Sequence, residues 1–242
     1  MKAAVYGATR NVYEDMIPSI KSLLINSDVE KIYMLIEDDE FPIELPPECE
    51  TINVSDQRYF YPNGINFTAK WSYMILMRAV YAMMFPDLDR ILVMDNDTIV
   101  LSDISELWDF DLEGYYFAGV KEPAKSKHYL YTCIGVSLHN LDYIRKNDID
   151  EKLRRSLNNT RYIYPEQDAF NEVCYGYIKE LPPEYGMSPW TVQCKHPKIK
   201  HFAASDGAWR NYPIVEQYRK VPFSEIRKER TNDKNSGSST DF

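Results

Sequence analysis

Ile91-Leu92-Val93-Met94-Asp95-Asn96-Asp97-Thr98-Ile99-Val100-Leu101 places two carboxylates between two uninterrupted apolar runs. An apolar run without alternation reads as a strand covered on both faces. In open α/β sheets ligands gather outside the carboxyl ends of such strands. Asp95 and Asp97 therefore read as a metal clamp for a phosphorylated ligand. Three further Asp-x-Asp triplets, Asp87/Asp89, Asp109/Asp111 and Asp148/Asp150, lack the buried strand in front of them. The competing interpretation is a strand that ends in a solvated Asp/Asn turn.

Working outward, periodicity predicts strands over 3–6, 31–36, 51–54, 116–120, 135–139 and 199–203, with loops at 8–11 and 41–48. Helices are predicted over 15–25, 72–85, 104–108, 141–147, 151–157 and 167–174, and Pro86 stops the long one. Alternating strands and helices imply an α/β fold. The chain of 242 residues, 44% hydrophobic, reads as one domain over 1–226 followed by a polar, disordered tail over 227–242.

The net charge of -9 argues against broad binding of nucleic acid. No apolar run nears the roughly 18 residues of a membrane span, and the first residues enter a strand directly without a signal-peptide pattern. Cys49, Cys133, Cys174 and Cys194 are scattered with no C-x-x-C pair, so a reducing, cytoplasmic setting is expected. In that setting the glycosylation patterns at Asn66 and Asn158 are chance matches.

Four more segments join the Asp95 loop: Tyr6-Gly7-Ala8-Thr9-Arg10-Asn11-Val12-Tyr13, the Trp71 to Arg78 stretch, Tyr164-Pro165-Glu166-Gln167-Asp168-Ala169-Phe170-Asn171, and His201-Phe202-Ala203-Ala204-Ser205-Asp206-Gly207-Ala208-Trp209. In this order, over roughly 3–209, they resemble family-eight retaining glycosyltransferases, the group that includes glycogenin and bacterial lipopolysaccharide galactosyltransferases. The resemblance implies a GT-A-like fold with a central, mostly parallel sheet flanked by helices. It implies transfer of glucose or galactose from a UDP-sugar with retention of configuration, assisted by Mn²⁺ with Mg²⁺ as the alternative. Asp95, Asp97 and His201 are the implied metal ligands, with His196 as the nearby competitor. Ala8, Thr9, Asn11, Tyr13, Asn96, Cys133 and Glu166 would contact the donor, while Gln167, Asp168 and Arg78 would serve catalysis.

Each residue also has a structural interpretation. Thr9 to Tyr13 can be a plain loop into a helix, Arg78 a surface arginine, and Glu166 to Asp168 a favourable acidic first turn. Two departures stand out. Cys133 replaces a sugar-contacting Asn, and Gly207 replaces a Lys that neutralises diphosphate, with Lys70, Lys121, Lys125 and Lys127 as candidate substitutes. These departures leave a binding protein without turnover as the alternative function. A sugar-nucleotide pyrophosphorylase would need a glycine-rich phosphate loop, and residues 7–10 contain one glycine. The acceptor, whether saccharide, lipid-linked saccharide or protein, is left open, with residues 121–132 and 185–194 as the segments able to shape its site.

Overall fold

The computed structural model describes residues 1–67, 71–203 and 207–226. Lys70, Ala204 and the expected tail over 227–242 lie outside the described residues. The strands are β1 (Ala3–Gly7), β2 (Lys31–Ile36), β3 (Cys49–Asn53), β4 (Arg90–Met94), β5 (Thr98–Val100), β6 (Phe117–Lys121), β7 (Thr132–Asn140), β8 (Ile178–Leu181) and β9 (Ile199–His201). Seven of them form one sheet in the order β3-β2-β1-β4-β7-β6-β8, and β5 pairs with β9 in a second, small sheet. Within the large sheet only β7 runs against its neighbours.

The unbroken apolar run of β4 follows from its central place. Ile91 and Val93 face a core with Met77, Val80 and Phe170, whereas Leu92 and Met94 face the opposite core with Ile20 and Leu23. Both faces are covered, so neither alternates with polar residues. The helices on these faces are α1 (Tyr13–Ile25), α2 (Tyr81–Met84), α3 (Leu141–Lys146), α4 (Ile149–Asn159), α5 (Pro165–Val173) and α6 (Pro213–Lys220).

The expected long helix over 72–85 is corrected. Tyr73–Val80 is a 3-10 helix and only Tyr81–Met84 is α-helical. Met74, Met77 and Val80 are buried at a spacing of three, and a 3-10 helix stacks such residues in one row. No described helix is long and apolar enough to cross a membrane. Asn66 is buried and donates to the carbonyls of Leu157 at 2.6 Å and Thr160 at 2.7 Å, so its amide ties the chain together.

Candidate active site

The carboxyl ends of β1, β4 and β6 share one edge of the large sheet with the start of β7, and this edge carries the site. Asp95 immediately follows β4, and its N–H donates to the Gly135 carbonyl at 2.7 Å. The turn then crosses into the small sheet, where Thr98 is the Cα partner of His201 and the Phe202 N–H donates to the Asp97 carbonyl at 2.8 Å. Thr98 Oγ1 donates to the Asp95 carbonyl at 2.7 Å, and Asn96 Nδ2 to the Gly7 carbonyl at 3.0 Å.

This register places His201 Nε2 3.2 Å from Asp95 Oδ2 and 3.3 Å from Asp97 Oδ1. One ligand atom from each of the three lies within 4.8 Å of the others, and no other such group with three ligands occurs among the described residues. His196 and the three other Asp-x-Asp triplets stand outside it. Two carboxylate oxygens and an imidazole nitrogen suit a divalent first-row metal. Gly135 forms the floor: a Cβ there would overlap Asp95 Oδ2 and the His201 ring. Asn96 Oδ1 is buried without a hydrogen-bond partner among the described residues.

Charge is tightly organised. Burial works to raise the Asp95 pKa, but the Arg78 guanidinium and His201 outweigh it and hold the carboxyl well below its ordinary range. Burial works to lower that of His201, but the Asp97 charge and hydrogen bonds to Asp95 and Asp97 lift it well above the ordinary histidine value. Arg78 is buried, not a surface arginine, and pairs with Asp95 and with Glu166 at 3.3 Å. Burial raises the Glu166 pKa, opposed by Arg78.

Gln167 Nε2 donates to Glu122 Oε1 at 3.0 Å and to the Tyr131 hydroxyl at 3.3 Å. Asp168 accepts from the Tyr131 hydroxyl and, at 2.8 Å, from the Tyr164 N–H. Cys133 Sγ lies 3.7 Å from His201 Nδ1, on the ring edge opposite the carboxylates. Ala8 continues the β1–β2 ladder by donating to the Leu35 carbonyl at 3.0 Å, and Thr9 Oγ1 donates to Asn11 Oδ1 at 2.7 Å. Tyr13 is buried, with its hydroxyl donating to Asp38 at 3.0 Å and its ring 5.3 Å from that of Phe41.

Sequence reasoning missed Glu122 and Tyr131 as part of this cluster. Glu122 had a signal: it directly follows β6, as Asp95 follows β4, and burial raises its pKa against Lys125 and Gln167. Lys125 lies 3.7 Å from Glu122 and donates to the Tyr131 hydroxyl at 3.2 Å, so it belongs to the Gln167 side.

The model for glycosyl transferase family 8 matches residues 5–209. This chain belongs to glycosyl transferase family 8. The family-eight chain is 25% identical over 183 residues to general stress protein A of Bacillus subtilis (strain 168), covering 60% of this chain and 64% of that protein. It is 27% identical over 157 residues to a putative glycosyltransferase of Haemophilus influenzae (strain ATCC 51907 / DSM 11121 / KW20 / Rd), covering 59% and 45%. The aligned stretch therefore spans less than two thirds of each relative's own length. Among solved structures, the glycosyltransferase GlyE of Streptococcus pneumoniae TIGR4 superposes with a TM-score of 0.74 at 17% identity, covering 96% of this chain and 64% of that one. The galactosyltransferase LgtC, solved with donor and acceptor sugar analogs, gives 0.72 at 17% identity, covering 93% and 99%. These neighbours establish the GT-A fold of the family-eight chain.

Proposed function

We propose that this chain is a retaining hexosyltransferase that moves glucose or galactose from a UDP-sugar to a saccharide acceptor with the help of Mn²⁺, or Mg²⁺ in its place. The observation that carries the reading is the convergence of Asp95, Asp97 and His201 beside the buried Arg78–Glu166 pair. A divalent ion held by those three ligands would act as the Lewis acid that stabilises the departing diphosphate.

The chain's own residues supply the rest. Arg78 fixes the Asp95 and Glu166 carboxylates, and Glu166 accepts hydrogen bonds from the donor sugar's hydroxyls. Asn96 Oδ1, buried and unpartnered, accepts one from the ribose. The Gln167 amide nitrogen is engaged by Glu122 and Tyr131, which leaves Oε1 to face the electron-poor anomeric carbon. Asp168 is tied to Tyr131 and the Tyr164 backbone, so it serves as a positioning residue and the acceptor attacks from the face the diphosphate leaves. Next to Asp168 lies a cavity of about 630 Å³ whose wall includes Tyr129 and Tyr175. Both are exposed, and their rings meet edge-on at 5.6 Å. Aromatic faces of this kind stack on the acceptor sugar.

Incubation with UDP-glucose or UDP-galactose and Mn²⁺ tests the proposal. Slow hydrolysis that releases the α-sugar first supports it. Binding of UDP-sugar with no turnover, even with added acceptors, would instead establish the binding protein, and release of the β-sugar would contradict retention.

A further inference from the structure

Arg210 is held in a defined orientation by Asp15 of α1. Its Nε and Nη2 donate to the two carboxylate oxygens of Asp15 at 2.7 and 2.5 Å, a two-pronged pairing that uses one edge of the guanidinium. Nη1 remains, without a hydrogen-bond partner among the described residues. It lies against Gly207, where a Cβ would overlap it, and Gly207 has the left-handed φ of 85°. Arg210 borders a cavity of about 780 Å³ together with Asn11, Tyr13, Asp15 and Phe41.

The link from Arg210 to the metal ligands is short and rigid. Arg210 follows Trp209, which is buried and stacked on Phe202 with ring centres 6.2 Å apart, and the Phe202 N–H is bonded to the Asp97 carbonyl. The hydrogen bonds to Asp15 favour the charged guanidinium, and the Asp97 carboxylate adds to this to a smaller degree.

Charge balance gives this placement a purpose. Two carboxylates and a neutral imidazole cancel a divalent ion, so a diphosphate would bring uncompensated negative charge to the site. Arg78 is spanned by two carboxylates, Asp95 and Glu166, whereas Arg210 is paired with Asp15 alone and keeps Nη1 for a further acceptor. We propose that Arg210 binds the diphosphate of a nucleoside diphosphate on the Asp97 side of the cluster, with Asp15 as its positioning residue and Gly207 as the opening that admits its guanidinium. The inference rests on the UDP-sugar reading and adds to it the residue that reads the diphosphate. It also reverses the simplest repair suggested by the sequence: a lysine at Gly207 would displace Arg210 rather than add a cation.

Calorimetry of the full chain with UDP and with uridine, in the presence of Mn²⁺, tests this. Arg210→Ala is expected to weaken UDP by about ten-fold or more, the scale of a charged hydrogen bond to phosphate, while uridine affinity stays within two-fold. Gly207→Ala removes no charge and is expected to weaken UDP selectively as well, because its Cβ intrudes on Nη1. Arg210→Lys covers the case in which Arg210→Ala fails to fold, and it should retain part of the preference for UDP over uridine. Unchanged UDP affinity in the Arg210 variants, or equal losses for UDP and uridine, would overturn the assignment while leaving the transferase reading intact. A wild-type chain that does not bind UDP at all would overturn both.

Discussion

Thr98 and His201 are Cα partners across the short β5–β9 sheet, and this one register places an imidazole from late in the chain beside two carboxylates from its middle. Ser19 completes the anchor: its hydroxyl lies 2.7 Å from Thr98 Oγ1, which ties the loop to α1. The site is thus braced by backbone pairing and by the contact with α1.

Gly135 admits no side chain beneath the cluster. Gly135→Ala should abolish Mn²⁺ binding, because its Cβ would overlap Asp95 Oδ2 and the His201 ring. Titration calorimetry measures the loss and circular dichroism checks the fold. Wild-type Mn²⁺ affinity in a folded variant would refute the close approach.

Arg78 is a buried cation shared by two carboxylates. Arg78→Met should destabilise the metal-free protein by about 3–5 kcal/mol, since it leaves buried charge uncompensated. Adding Glu166→Gln should recover part of that loss, as measured by urea denaturation. Additive losses would show that Glu166 and Arg78 are not coupled.

In the metal-free site the neighbouring carboxylates raise the His201 pKa well above its ordinary value in spite of burial, which favours the protonated ring. Metal coordination needs the neutral ring, so Mn²⁺ affinity should rise with pH by up to ten-fold per unit until the raised pKa is reached. Calorimetry in buffers of different ionisation enthalpy should find about one proton released per ion. Without metal the sign is opposite. The His201 contribution to stability is complete below the unfolded pKa of about 6.5 and is lost as pH rises through the folded value. Mn²⁺ affinity that is flat between pH 6 and 8 in a folded protein would contradict the assignment.

Gln167 is engaged through Nε2 and Asp168 through Tyr131. Gln167→Ala should therefore lower kcat far more than donor affinity, the pattern of an interaction made chiefly in the transition state. Asp168→Asn should have the smaller effect. The reverse order in steady-state kinetics would point to Asp168 as the nucleophile.

The strand and the Asp95 loop were legible because local chemistry marked them: an apolar run buried on both faces, then acids at its carboxyl end. Arg78, Gln167 and His201 were marked by the motifs around them. Other features depend on pairings between distant residues. The 3-10 form of Tyr73–Val80 is set by how Met74, Met77 and Val80 pack on the sheet. Glu122 joins Gln167 across a separation of 45 residues. Arg210 stands three positions after Gly207, where the resemblance implies a lysine, but the orientation of its guanidinium is set by Asp15 across a separation of 195 and was not legible in the sequence.

The role proposed for Asp95, Asp97 and His201 is to hold the ion through which a UDP-sugar is bound. Titration of UDP into the chain with and without Mn²⁺, repeated for Asp97→Ala, tests it most directly. Mn²⁺-dependent binding in the wild type and its loss in a folded Asp97→Ala variant are the expected results. UDP affinity that is the same in both proteins and indifferent to Mn²⁺ would contradict it.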